Sequence, residues 1–328
     1  MKIAVVGATG LVGSVMLKVL EERNFPLTEL IVAASENSVG KEIHFRNKSV
    51  KVISLADAVT AKPDIALFSA GSAVSLEWAP KFAEAGTYVV DNSSAWRMNA
   101  EIPLIIPEVN INVLKKTDHI IANPNCSTIQ MLVALYPLYR EFGISNIVVS
   151  TYQSVSGSGM KGISQMRSER EKQPYTPFYK RNIDLNCIPQ CDDFTENGFT
   201  KEEMKLVNET HKIFNDRSIH VNATAVRVPV TGGHSESVVV TLDKSATEGE
   251  VMAALKQAPG LILKSATEDY PTALEAEGKD EVFVGRIRKD LYSDKVWNLW
   301  IVADNLRKGA ATNTVQIAEH IASNFLTI

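Results

Sequence analysis

The residues best placed to do chemistry are a cysteine and a histidine far apart in the chain. Cys126 lies in Asn123-Pro124-Asn125-Cys126-Ser127-Thr128, where a short apolar stretch at 119–122 gives way to a run at 129–138 with apolar residues at helical spacing. That pattern predicts a strand turning into a helix, with the sulfur at or near the N-cap. Unpaired N–H groups in a first helical turn, with the positive end of the dipole, favour a thiolate over a thiol and can hold a developing oxyanion. Pro124 stiffens the approach, and the Asn125 amide is a further donor. The competing reading is a small buried cysteine with Asn125 as an ordinary cap.

His234 lies in TGGHSE, which joins two strongly alternating stretches at 219–230 and 236–242. On a glycine-rich loop an imidazole is free to approach a reactive group elsewhere, and a Cys–His pair is a common way to activate sulfur and move protons. A solvent-facing turn residue is the competing reading. Arg227 precedes His234 by seven residues, on the strand that leads to it. The histidines at 44, 119, 211, 220 and 320 have no comparable setting.

The elements that position these groups begin with residues 2–6, a buried strand, followed by Gly7-Ala8-Thr9-Gly10-Leu11-Val12-Gly13 and an amphipathic helix through residue 22. This is the strand, glycine turn and helix that a dinucleotide needs. Gly7 permits the turn, Gly10 admits the pyrophosphate, Gly13 allows helix and strand to pack closely, and the helix N-terminus receives the phosphate charge. A second strand, 29–34, ends in Ser35-Glu36-Asn37-Ser38, where such a unit meets the adenosine ribose. Small and hydroxyl residues there suit a 2′-phosphate, whereas Glu36 would repel one, so NADP and NAD both stand. A hairpin at 41–53, strands at 64–70 and 87–91 and a helix at 71–84 continue the alternation, and the polar Asn92–Arg97 loop falls at a strand's C-terminal edge, where ligands gather. The whole implies an α/β fold with a doubly wound, mostly parallel sheet.

After the cysteine helix the rhythm changes. A strand at 147–153 leads into the small-residue loop Ser154-Val155-Ser156-Gly157-Ser158-Gly159, and 174–190 is irregular and proline-rich, a surface excursion or dimer contact. A helix at 201–214, a helix near 247–257, and strands at 219–230, 236–242, 282–288 and 296–303 predict an α+β domain with a mixed or antiparallel sheet. An amphipathic helix closes the chain at 310–325. The expected division is a nucleotide-binding domain at 1–125, rejoined by 306–328, and a catalytic and dimerisation domain at 126–305. A chain of 328 residues suits two domains. A net charge of −4 offers no basic field for nucleic acid. Three cysteines form no disulfide framework, and with no signal or membrane-spanning segment a reducing cytoplasm is the expected compartment. Cys187 and Cys191 find no partners for a metal site and are read as structural.

Taken together, GATGLVG, NPNCST, STYQSVSGSGMKG, EEMKLVNET, RVPVTGGHSESV and KGAATNTVQIAE resemble, in order and along essentially the whole chain, segments of the aspartate-β-semialdehyde dehydrogenase family. The resemblance implies NADPH-dependent reduction of L-aspartyl-4-phosphate to aspartate 4-semialdehyde and phosphate, early in the biosynthesis of lysine, threonine, methionine and diaminopimelate. It implies that Cys126 forms an acyl-thioester beside Asn125, that His234 is the acid/base partner taking a proton as the thiohemiacetal collapses, and that Gln153 orients the acyl group. Arg227 then grips the α-carboxylate, Glu202 the ammonium, and Arg97 with Lys205 the phosphate. Thr9, Gly10, Leu11 and Val12 match the pyrophosphate loop, Ser156 and Gly157 the nicotinamide side, and Gln316 a contact from the C-terminal helix. Ser35, Asn37 and Ser38 fall at the ribose. Asn37 stands where the family often has an arginine near the 2′-phosphate, so NADP is expected with NAD as the alternative. A homodimer is expected, with no nucleic-acid or membrane partner. The rivals are an N-acetyl-γ-glutamyl-phosphate reductase, whose substrate lacks a free ammonium, and a non-catalytic NADP-binding sensor; a short-chain reductase would need a Tyr-x-x-x-Lys pair not found here.

Overall fold

The computed structural model describes residues 1–326, and these divide into two compact units, residues 1–125 with the chain from 310 onward, and residues 126–309. In the first unit the apolar run at the start forms strand β1 (Lys2–Val6), followed by helix α1 (Leu11–Glu22) and β2 (Glu29–Ala33). The hairpin β3 (Glu42–Phe45) and β4 (Lys48–Ile53) comes next, then a short helix α2 (Leu55–Thr60), which the apolar pattern does not single out. Ser54 caps that helix by accepting from the Asp57 N–H. Strand β5 (Ile65–Phe68), helix α3 (Ser72–Glu84), β6 (Tyr88–Asp91), the short α4 (Pro107–Asn110) and β7 (Ile120–Ala122) complete this stretch.

The seven strands are ordered β3-β4-β2-β1-β5-β6-β7, parallel except for the β3–β4 hairpin. Both faces are covered, because alternate residues of each strand enter different cores. Ile3, Val5, Val32, Leu67 and Val90 join one, and Ala4, Val6, Ala33, Phe68 and Val89 the other. The sheet is therefore doubly wound, as its sequence pattern predicts.

The second unit opens with α5 (Cys126–Phe142), a helix whose residues from Ser127 to Leu135 are all buried. It continues through β8 (Ile144–Gln153), α6 (Gly159–Arg170), α7 (Lys201–Phe214), β9 (His220–Arg227) and β10 (His234–Leu242). Then come α8 (Glu248–Lys256), β11 (Leu261–Leu263), the one-turn α9 (Ala273–Ala276), β12 (Val282–Lys289) and β13 (Val296–Ala303). The sheet runs β11-β12-β13-β10-β8-β9, and it is mixed, with β8–β9 and β11–β12 parallel and the other pairs antiparallel. Helix α6 departs from the sequence reading. Its glycine- and serine-rich start carries little apolar periodicity, yet Ile163 and Met166 are buried four and seven residues into it.

Topology gathers one end of this sheet. Gln153 and Arg227 are paired at the C-terminal ends of parallel neighbours, and His234 begins the antiparallel β10, paired with Ala303 at the end of β13. A single turn of π-helix (Arg307–Ala311) then leads to α10 (Thr312–Asn324), which belongs to the first unit. There Val315, Ile317, Ala318 and Ile321 cover the face that holds Ile3 and Val5, and Arg23 forms a bidentate pair with Glu319 at 2.8 and 2.7 Å. The expected return of residues 306–328 thus includes 327 and 328, which lie outside the described residues.

Candidate active site

Cys126 is the first helical residue of α5, partly exposed, with Asn125 buried immediately before it. The backbone of Gly309 passes directly against it: a Cβ at Gly309 would lie 2.7 Å from the Cys126 Cβ, so only glycine allows this approach. Nothing in the sequence marks Gly309, because its neighbour lies 183 positions earlier in the chain (309 minus 126).

Gln153 reaches from the end of β8 to the start of α5. Its Nε2 donates to Ser127 Oγ at 3.1 Å and to Glu202 Oε1 at 3.1 Å. Glu202 and Lys205 share the first turns of α7, whose start is fixed by a capping box in which Thr200 and Glu203 satisfy each other's backbone donors. Lys205 Nζ pairs with Glu202 at 2.9 Å and with Asp192 at 3.0 Å. Burial works against this ammonium, but the two carboxylates outweigh it and hold its pKa above the usual lysine value. In the free protein Glu202 and Lys205 therefore neutralise one another, and an ionic ligand must exchange for that contact.

Arg227 ends β9 with its guanidinium buried. Its Nη1 donates to the Ser154 carbonyl at 2.7 Å. His234 corrects the sequence reading: it is not on a mobile loop but is the first residue of β10, with no exposed surface. One glycine of the preceding loop explains the difference. Gly233 has φ of +74° and its position abuts the Ala273 carbonyl, so the chain turns there and delivers the next residue into the sheet. Main-chain pairing to β13 and a 3.3 Å hydrogen bond from Gln130 Nε2 to the His234 carbonyl hold it. Burial, with the positive charge of Arg227, lowers the His234 pKa to about 3, so the ring is neutral at physiological pH.

Gly157 completes this corner. A Cβ there would stand 2.8 Å from Arg227 Nη1 and 3.1 Å from His234 Nε2. Ser156, its neighbour, is buried and bonded to Asn305. Gly157→Ala is expected to displace both side chains and to lower kcat/KM by about 10- to 100-fold, since small misplacements of reacting groups have effects of that order. Steady-state kinetics check it, and near-native values would show that the corner yields. Of the other cysteines, Cys187 is exposed, and burial pushes the Cys191 thiol up to about 12, so it stays protonated. Among the described residues no group of three or more histidine, cysteine or acidic side chains is arranged to hold a metal ion.

The first unit carries its own site at the C-terminal edge of its sheet. Gly7 has φ of +83°, and a Cβ on it would lie 2.4 Å from the Ser69 carbonyl oxygen, while one on Gly13 would lie 2.2 Å from the Gly7 oxygen. Gly10 is the N-cap of the twelve-residue α1 and no side chain caps it, so the first-turn N–H groups around Leu11 and Val12 are open to an anion. Thr9 is exposed beside them. The residues fit a dinucleotide pyrophosphate. Ser35 and Asn37 are exposed around a one-turn 3₁₀ helix (Glu36–Ser38), and Ser38 lies mostly buried with Lys41 Nζ 3.5 Å from its hydroxyl. The Lys41 contact is not evident from sequence, because the cation folds back from beyond the 3₁₀ turn, just before β3. Arg97 sits in the loop after β6, its Nη2 donating to the Asn92 carbonyl at 2.8 Å. Asp91 shapes that loop by accepting from Ser93 and Ser75. Gln316 on α10 donates to Glu108 at 3.0 Å.

Comparison with known proteins agrees with this geometry. Residues 2–117 match the family model described as semialdehyde dehydrogenase, NAD binding domain, and residues 135–308 the one described as semialdehyde dehydrogenase, dimerisation domain. The chain is 51% identical to an aspartate-semialdehyde dehydrogenase of Aquifex aeolicus (strain VF5), over 97% of each chain. It is 51% identical to that of Legionella pneumophila, over 99% of this chain and 97% of the other. A crystal structure of aspartate semialdehyde dehydrogenase II from Vibrio cholerae, complexed with ASA, superposes with a TM-score of 0.95 at 50% identity, covering 99% of both chains. With both family models matched and half of all residues shared over nearly the full length, this chain belongs to the aspartate-semialdehyde dehydrogenase family.

Proposed function

We propose that the protein reduces L-aspartyl-4-phosphate to L-aspartate 4-semialdehyde and phosphate through a thioester on Cys126. The observation that carries this reading is the assembly, at one end of the second sheet, of a buried guanidinium fork, a buried carboxylate, an amide and an imidazole, beside the start of the helix that begins with Cys126. The substrate bears a carboxylate, an ammonium and a phosphate. Arg227 offers a planar two-pronged donor to the first and Glu202 a charge partner to the second. Lys205, released from Glu202, and Arg97 are the cations for the phosphate. The Cys126 sulfur attacks the acyl carbon and phosphate departs; Gln153 and Asn125 orient the acyl group, and His234 faces its oxygen. A nicotinamide cofactor, when bound, supplies the hydride that reduces the thioester.

Gly7 to Gly13 receive the pyrophosphate, Ser156 and Gly157 face the nicotinamide, and Gln316 supports the cofactor from α10. NADP is the expected form, because Lys41 lies against Ser38 and brings a cation to the ribose turn where Glu36 would otherwise dominate. Lys41→Ala is expected to raise the KM for NADPH about tenfold and leave that for NADH within twofold, a split that one pair of initial-rate series resolves. Equal effects on both cofactors would remove Lys41 from 2′-phosphate recognition.

The substrate of the N-acetyl-γ-glutamyl-phosphate rival lacks a free ammonium and would offer Glu202 no cation in exchange for Lys205. Phosphate-dependent reduction of NADP and NAD, measured separately with aspartate semialdehyde and N-acetylglutamate semialdehyde, tests reaction, substrate and cofactor together; faster turnover of the N-acetyl compound would overturn the assignment. A homodimer is supported by the face of the second sheet turned away from α5, where Val148 and Tyr152 are exposed and the Tyr152 and Trp300 rings lie 5.4 Å apart. No helix among the described residues is long and apolar enough to cross a membrane, and we place the enzyme in the cytoplasm with a role in biosynthesis of lysine, threonine, methionine and diaminopimelate.

A further inference from the structure

Glu236 lies two residues beyond His234 in β10, on the same face of the strand, and has no exposed surface. That face packs against α5, and the groups around the carboxyl supply no counter-charge. Its neighbours across the sheet are Thr151 on β8 and Ile301 on β13. Helix α5 carries no charged side chain before Arg140. His234, the titratable neighbour on the same strand face, is neutral at physiological pH. Neither carboxyl oxygen of Glu236 has a hydrogen-bond donor within reach, and Gln130 Oε1 on α5 is buried without one as well. The other end of that amide is engaged, since Gln130 Nε2 donates to the His234 carbonyl at 3.3 Å. An ionised carboxylate here would lose its water and gain nothing in exchange, which is among the costliest arrangements in a protein interior. Burial accordingly pushes the Glu236 carboxyl well above the usual carboxylate range, and the Gln130 amide opposes this only in part. One proton meets both needs: a neutral acid requires no cation, and its O–H is a donor for Gln130 Oε1.

We infer that Glu236 is a positioning residue: as a neutral acid it donates to the Gln130 amide, and the two side chains clamp the strand that begins with His234 to the helix that begins with Cys126. The inference rests on the roles proposed above for those two residues. The spacing suits the task. Gln130 is one helical turn beyond Cys126 and so on the same side of α5, and Glu236 is one strand repeat beyond His234. The bonds from Glu236 to Gln130 and from Gln130 to the His234 carbonyl therefore join helix and strand just behind the reacting atoms. Hydrogen bonds in such a dry network strengthen one another and admit few alternative geometries. An apolar pair would fill the same space without fixing the position of the strand along the helix. Sulfur and imidazole must meet at one acyl group, and small errors in that geometry are costly to the rate.

The test is infrared difference spectroscopy of the full-length protein without ligands at neutral pH, wild type minus Glu236→Gln. The expected difference contains the C=O stretch of a protonated carboxylic acid; the bands of an ionised carboxylate in its place would overturn the inference. Because this readout involves no substrate, it is separate from any failure of the aspartyl phosphate assignment. Kinetics give the second arm. Glu236→Leu keeps much of the volume but removes the donor, and is expected to lower kcat about tenfold with the KM for semialdehyde changed less than threefold. Glu236→Gln, whose amide N–H replaces the acid O–H, is expected to recover kcat to within about threefold of wild type. Gln130→Leu should match Glu236→Leu, and the two together should be no worse than either, as for residues that act as one unit. Wild-type kcat from Glu236→Leu, a loss in Glu236→Gln as large as in Glu236→Leu, or additive effects in the double variant would each count against the clamp. If Glu236→Leu does not fold, the infrared result and the Glu236→Gln kinetics decide.

Discussion

Cys126→Ser is expected to lower kcat by a factor on the order of 10⁴–10⁶ while the dissociation constant for NADP stays within twofold. The hydroxyl of serine is a far weaker nucleophile than sulfur at neutral pH, and nothing at the start of α5 replaces the thioester as an acceptor. Cofactor binding is spared because the glycine turn that receives the pyrophosphate is built from Gly7, Gly10 and Gly13 in the other unit. Equilibrium cofactor titration and single-turnover kinetics read the two quantities separately. Wild-type rates from Cys126→Ser would sink the covalent mechanism. Blocking the thiol chemically distinguishes the enzyme from a cofactor-binding sensor, provided it is done in a Cys187→Ser background, since Cys187 is exposed and reacts as well.

His234→Asn is expected to retain a slow trace of turnover, with kcat down about 10²–10⁴-fold, the usual effect of removing a positioned acid/base group. The KM for semialdehyde should change little, because Arg227 and Glu202, which hold the ionic ends of the substrate, come from β9 and α7 and do not depend on the ring. Pre-steady-state measurement sharpens the test. Formation of the acyl-enzyme should survive at an appreciable rate while its reduction slows; if acylation alone collapses, the imidazole's task lies at the sulfur instead.

How much of this was legible in the sequence depends on the range of each interaction. The β1–turn–α1 unit was plain, because a strand, a glycine turn and a helix are written within 22 consecutive residues. The doubly wound sheet followed from alternation over the first 125 residues, and its α/β class stands. The start of the cysteine helix was also local, although the structure begins it at Cys126 itself. The setting of His234 is not local: two glycines suggest mobility when read along the chain, whereas Gly233 steers the histidine into β10. Helix α6 leaves little trace in the sequence because glycine and serine dilute its periodicity. Glu236, Asn305 and Gly309 could not be found at all, since each acts through a neighbour far away in the chain. The pairing of Lys205 with Glu202 lay three residues apart and in view, but its consequence, an ion pair that substrate must open, becomes visible only with their burial.

The first unit is interrupted: its sheet is written by residue 125, but the helix that covers one side of it arrives only after residue 310. During synthesis the ribosome must therefore emit the whole intervening unit while Ile3, Val5, Val32 and Val90 are covered on that side by α1 (Met16, Leu17, Leu20) without α10. A nascent chain halted near residue 309 should recruit chaperones and be cut readily by protease within its first 125 residues. Protection should appear once the last seventeen or so residues emerge, and a protected sheet in the arrested chain would show that the terminal helix is dispensable for closing it.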